Sequence, residues 1–184
     1  MFKRVENNIN LAQVENEISN YWDKIDAFKT SLNNRKSEKI FRFYDGPPFP
    51  TGSPHYGNLL AGVIKDIVPR YWTMRGYFVE RRFGWDVHGL PIEMEVQKEL
   101  GLEDPQDIDD YGIDKFNEAC RSQVQTNTEN WEKITRKIGR WVDFENDYKT
   151  MDVGFMESVW WVFKELFDKN LIYKDYKVLP YSWA

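Results

Sequence analysis

The chain has 184 residues, 41% hydrophobic and 30% charged, which suits a soluble globular chain with a sizeable core and excludes a disordered one. A net charge of −5 and a pI near 5.2 exclude a global field that would draw it to nucleic acid or an anionic membrane, so any nucleic-acid contact must be local. The lone Cys120 excludes an internal disulfide and a multi-cysteine zinc site, no apolar run approaches the roughly 18 residues that cross a bilayer, and MFKRVENNIN lacks a secretory apolar core; a cytoplasmic protein is expected.

Along the chain, Val14, Ile18, Trp22, Ile25, Phe28 and Leu32 recur at spacings of three and four, which predicts an amphipathic helix over 10–33 with Asn10 and Gln13 as a cap pair. The polar linker NNRKSEK follows, then IFRFY (40–44), a short strand. Leu60, Val63, Ile64, Ile67, Tyr71 and Met74 predict a helix from Tyr56 to about Arg75, interrupted by Pro69 and closed by Gly76. YFVERRF (77–83) reads as the next strand. Strand, helix and strand make a βαβ unit with parallel strands. Between Glu93 and Asp114 nine acidic residues stand against one lysine, which reads as a solvated insertion. Two helices are predicted next. One carries Phe116, Cys120, Val124, Trp131, Ile134 and Ile138 on one side, and the other covers 152–170 with Phe155, Met156, Val159, Phe163 and Leu166 facing inward. KVLPYS (177–182) is the third strand-like run.

The chemistry concentrates at YDGPPFPTGSPHYGN (44–58), a stiff corner at a strand-to-helix junction, where ligands of open parallel sheets bind. Gly46, Gly52 and Gly57 admit ligand atoms close to the backbone, while Pro47, Pro48, Pro50 and Pro54 stiffen the turn. His55 and Asn58 lie three residues apart at the helix start. They either cap it or join its free amides in holding the charge that builds on transferring phosphate. Asp86 either caps the turn DVHGLP or pairs with an ammonium group. His88 either touches the same ligand or is a hydrogen-bonded structural histidine. Arg75, Arg81 and Arg82 form a basic cluster of paired surface charges or an RNA contact. Trp131, Trp141, Trp160 and Trp161 and the Cys120 thiol are expected in the core.

PPFPTGSPHYGN resembles the HIGH signature of class I aminoacyl-tRNA synthetases, spelled here His55-Tyr56-Gly57-Asn58. GWDVHGLPIE (84–93) resembles the corresponding block of the isoleucyl members, and KDIVPRYWTMRGY (65–77) and the stretch from WVDFENDY to KVLPYSWA are similar to the same family. The resemblance covers nearly the whole chain in order. It implies an α/β fold: an N-terminal helical extension (1–38), then the first half of a Rossmann-like nucleotide-binding catalytic domain (39–184), a parallel sheet with crossover helices that ends near an editing insertion. It implies ATP-dependent activation of L-isoleucine and transfer to tRNA(Ile), Mg²⁺ arriving with ATP, and no zinc site in this part. The catalytic residues it implies are His55 and Asn58. ATP would be held by Gly46, Pro48, Thr51, Gly52, His55, Gly57 and Asn58, and the amino acid by Gly46, Pro47, Asp86 and His88. The family usually has a second histidine where this chain has Asn58; an amide still donates a hydrogen bond but carries no full positive charge. The lysine-rich KMSKS signature is not found among these residues, so the resemblance implies an N-terminal part of a longer enzyme, with weak activity or none by itself. Other readings are a valyl-type synthetase, another adenylyl-transferring member of the HIGH superfamily, or a noncatalytic synthetase-derived binding module.

Overall fold

A computed structural model describes residues 8–35 and 39–181, apart from the side chains of residues 125 and 126. In chain order the elements are α1 (Leu11–Lys24), α2 (Ala27–Asn33), α3 (Tyr56–Met74), β1 (Arg82–Trp85), α4 (Leu90–Leu100), α5 (Pro105–Tyr111), α6 (Ile113–Lys137), β2 (Asp143–Lys149) and α7 (Val153–Asp168). The helix predicted over 10–33 is two helices. Asp26 adopts a left-handed conformation (φ 45°), which ends one and caps the next. Asn10 does cap α1, its Oδ1 accepting from the Gln13 amide at 3.2 Å, while Gln13 turns its own side chain to Glu17.

β1 and β2 pair in parallel, with Gly84 opposite Tyr148 and Trp85 opposite Lys149. Parallel pairing needs a crossover, and α4, α5 and α6 provide it. The predicted strand 40–44 shrinks to one parallel bridge, Ile40 with Phe78, so the strand–helix–strand unit survives as that single contact. The predicted strand 77–83 becomes a regular ladder only from Arg82. The run 177–181 has no regular structure and is exposed, and Ser182 lies outside the described residues. β2 was not read from the sequence at all. DFENDYK has neither an apolar run nor a clean alternation; tertiary pairing with β1 makes it a strand.

The core gathers Phe83, Trp85 and Val87 from β1 and its exit, Ile92 and Val96 from α4, Phe116, Val124 and Trp131 from α6, and Val142. The acidic stretch 93–114 is therefore not a solvated insertion. It folds as α4 and α5, whose apolar positions pack on α6 and leave most of the carboxylates outside, Glu95 with its buried Oε2 excepted. Trp131 is buried, but Trp160 and Trp161 are 69% and 62% exposed, contrary to the expectation of a core role. The predicted inward stripe of α7 is likewise uncovered: no residue of that helix is buried. The arginine cluster also divides. Arg82 pairs with Glu80 at the surface, whereas Arg81 is buried and donates to the Pro69 carbonyl and the Thr73 hydroxyl. Burial draws the Arg81 guanidinium down to about 10, partly opposed by Asp66.

α1 and α2 meet the second half of α3 and the segment that enters β2. The Arg70 guanidinium stacks on Trp141 at 4.0 Å and faces Trp22 at 5.3 Å, and the two indoles meet edge to face.

Candidate functional site

The corner has no regular structure from 44 to His55, where α3 begins, and three neighbours hold it. The Trp131 indole N–H of α6 donates to the Gly52 carbonyl at 2.9 Å, and the Asn130 amide donates to the Ser53 hydroxyl at 3.0 Å. The Asp86 amide donates to the Pro48 carbonyl at 2.9 Å, which sets the corner against the exit of β1. At its base, Asp45 is wholly enclosed and faces Lys65 of α3 and Arg140. The prolines restrict the backbone, and these contacts then fix its one remaining path.

His55 is the N-cap of α3. Its Nδ1 accepts from the Gly57 amide at 3.1 Å, and its own amide donates to the Asn58 side-chain oxygen at 3.0 Å. A neutral imidazole that accepts at Nδ1 carries its proton on Nε2, so the ring presents one N–H donor outward. Asn58 uses its oxygen in the cap, which leaves its NH₂ turned to donate. Capping and ligand binding are thus compatible: one set of atoms caps while the other points away. Gly57 has a steric reason to be glycine, because a Cβ there would lie 2.9 Å from the His55 ring. Gly52 has a conformational one, φ 57°.

His55, Gly57, Gly46 and Gly52 are exposed, and Pro47, Pro48, Thr51 and Asn58 are half-buried along one side of the corner. Asp86 is half-buried beside it and His88 is exposed. Asp86 does not cap a helix, since Gly89 takes that position for α4. The Tyr148 hydroxyl, pushed well above the usual tyrosine range by burial and by Tyr44, Asp45 and Asp86, stays protonated and donates to the Asp45 carbonyl at 2.8 Å. The structure brings together every residue read from the corner and, through the Pro48–Asp86 bond, the start of the second block. Sequence reasoning missed Asp45, Lys65, Arg140 and Tyr148, whose partners are 20 to 103 positions away. A cavity of about 50 Å³ lies under the corner between Pro48, Asn58, Lys65 and Trp131. The larger groove, about 440 Å³, lies elsewhere, between α1–α2 and residues 133–145. Among the described residues no group of three or more acidic, histidine or cysteine side chains could hold a metal, and no helix is long and apolar enough to cross a membrane.

Residues 17–184 match the family model for class I tRNA synthetases (I, L, M and V). The chain belongs to that family. Similar relatives include the isoleucine–tRNA ligases of Treponema denticola (53% identical over 98% of this chain), Bdellovibrio bacteriovorus (55% over 98%) and Mycobacterium tuberculosis (54% over 94%). The chain spans only 16–17% of the length of these class I synthetases. A solved structure, the ternary complex of the Agrobacterium radiobacter K84 agnB2 LeuRS with tRNA and LeuAMS, superposes over 88% of this chain and 18% of its own, with TM-score 0.59 and 21% identity. At that identity the likeness speaks to fold alone: an α/β class I synthetase half-fold with a small parallel sheet.

Proposed function

We propose that this chain is the HIGH-bearing part of an isoleucine–tRNA ligase, and that residues 44–58 with 84–88 form its half of the site that activates L-isoleucine with ATP. The observation that carries the reading is the two-sided cap of α3. His55 and Asn58 spend one polar edge each on the helix and keep an N–H donor outward, beside an exposed Gly57 and Gly52. Relatives more than half identical over nearly the whole chain, named isoleucine–tRNA ligases, support it.

In this reading Gly46, Pro48, Thr51, Gly52 and Gly57 give ATP a close, stiff backbone surface, and the His55 Nε2–H and Asn58 amide donate to phosphate oxygens. The isoleucine carboxylate attacks the α-phosphorus, the bond to the bridging oxygen breaks, and pyrophosphate leaves with the negative charge. Those two donors hold the charge that builds on the way. Asn58 offers a dipole rather than a cation, so its share is smaller than that of a histidinium. The Asp86 carboxylate pairs with the α-ammonium and turns the amino acid toward ATP, with His88 alongside. Gly46 and Pro47 wall the side-chain pocket; such a wall excludes larger side chains but cannot strongly reject valine, one methylene smaller, the limit that isoleucyl enzymes themselves exemplify. Mg²⁺ arriving with the nucleotide would neutralise part of its phosphate charge. Transfer to tRNA(Ile) and cytoplasmic residence belong to the whole protein on this reading, and residues 1–38 form a helical extension to the catalytic part.

The test is isoleucine-dependent ATP–pyrophosphate exchange by the full-length product carrying these residues, with valine and leucine as controls. His55→Ala should lower kcat by about a hundredfold, the cost of removing one donor to a developing charge. Asp86→Ala should raise KM for isoleucine while leaving ATP binding in place. Exchange unaffected by both substitutions, or equal for leucine and isoleucine, would reject the assignment.

A further inference from the structure

Beneath the corner lies a buried charge cluster that the proposed chemistry does not use. Asp45, immediately before Gly46, has a side chain with no solvent exposure. Its Oδ2 accepts from Arg140 Nη2 at 2.6 Å, and Arg140 is itself buried with its guanidinium over the Phe83 ring. Its Oδ1 faces Lys65 Nζ at 2.8 Å, off the direction of a good hydrogen bond, so that contact is chiefly charge on charge. The same Lys65 ammonium donates to the Gly46 carbonyl at 2.5 Å. From the other side, Tyr148 of β2 donates to the Asp45 carbonyl. The Asp45 carboxylate and the two carbonyls that follow it are thereby tied to α3, to the entry of β2 and to β2 itself. Lys65 stands on the helix that His55 caps, so the peptide preceding Pro47 cannot shift without moving against that helix.

We infer that Asp45 is a positioning residue for amino-acid selection: clamped by Lys65, Arg140 and Tyr148, it sets the Gly46–Pro47 wall at a fixed distance from the helix that bears His55. The inference rests on the proposed function for what the wall contacts, but the clamp itself is a property of the free protein. A carboxylate enclosed with two cations has no alternative partner in water, so its geometry is over-determined rather than adaptable. A wall that excludes larger side chains works only if it holds its place, because slack in it would let them seat.

The experiment has two arms, both in the full-length protein. The first follows, without substrate, amide hydrogen exchange of Asp86, whose N–H is held by the Pro48 carbonyl of the corner, in wild type, Asp45→Asn, Tyr148→Phe and Arg140→Lys. Asp45→Asn should speed exchange there by about tenfold or more and leave α6 unchanged, with Arg140→Lys, which keeps the charge, close to wild type. The second measures exchange kinetics. Asp45→Asn should raise KM for isoleucine by about tenfold while kcat and KM for ATP stay within about threefold, and Tyr148→Phe should move the same way by less. A merely structural residue would instead lower kcat in proportion to lost folded protein, with KM unchanged; that pattern overturns the inference. Unaltered exchange at the Asp86 amide in a folded Asp45→Asn protein also overturns it. Should Asp45→Asn not fold, Tyr148→Phe decides by the same two readouts. Wild type without isoleucine-dependent exchange would sink the functional reading and the selection role with it, while the first arm would still decide the clamp.

Discussion

At the scale of single residues, the site is governed by which atom of each side chain is already engaged. His55 accepts at Nδ1 and so must donate at Nε2, and Asn58 accepts at its oxygen and so offers its nitrogen. Their shared face was legible in the sequence, because residues three apart at a helix start lie on one side of it; which atoms each spends on the cap was not. Asp45 was not legible, since nothing local marks an acidic residue whose cation lies 95 positions on. Cys120 shows a milder gap between reading and structure. It is half-buried against the core rather than enclosed, and burial first, then the Glu93 carboxylate, push its thiol up. Less thiolate is therefore present at mildly alkaline pH than on an unperturbed cysteine. Alkylation by iodoacetamide at pH 8 should run slower in the folded chain than in urea, and the two rates should converge as pH rises above the folded value. Equal rates at pH 8 would contradict the shift.

At the scale of elements, the long amphipathic helices were read well, whereas α4, α5 and the strands were not. The α3 and α6 stripes repeat every three or four residues and need no partner to be recognised, so α3 ends within a residue of its expected limit. β1 and β2 exist because they pair with each other across nearly 60 intervening residues, and DFENDYK has no pattern of its own. The split between α1 and α2 was missed because the apolar spacing runs on through Asp26 while the backbone does not. The ladder explains one feature of GWD that the motif alone does not. A Cβ on Gly84 would sit 2.2 Å from the Tyr148 ring, so the glycine makes room for the side chain opposite. Gly84→Ala should destabilise by about 1–3 kcal/mol in thermal or urea unfolding, the usual range for overpacking. Tyr148→Ala in the same chain should relieve part of that loss and Tyr148→Phe less, because Phe removes the Oη but keeps Cζ and Cε1, which crowd the added Cβ as closely. Additive effects in the Ala pair would reject the steric account.

At the scale of the whole molecule, the surface is larger than a chain of this mass should have. Its accessible area is 14943 Å², against roughly 9300 Å² for a folded monomer of 22.1 kDa. The excess is concentrated on apolar positions: Leu60, Ile64, Ile67 and Met74 of α3, and Val159, Trp160, Trp161 and Phe167 of α7 all stand more than half exposed. Patches of that kind are association surfaces. The 184-residue chain by itself should self-associate with rising concentration in sedimentation velocity, and Trp161→Lys with Phe163→Lys should shift it toward monomer without loss of helix signal. A chain that stays monomeric from micromolar to near-millimolar would show that those faces are covered in solution.

The ties that hold the corner also impose an order in time. Residues 44–58 emerge early from a ribosome, but Trp131, Arg140 and Tyr148, which fasten them, are made 79, 95 and 103 positions after their partners. Local helices such as α3 can form as they appear, whereas loops that long close slowly and late. The stiffest-looking stretch of the sequence is thus among the last to become stiff. Its prolines narrow the search while it waits, and the nascent chain reaches its binding geometry only once β2 has been synthesised.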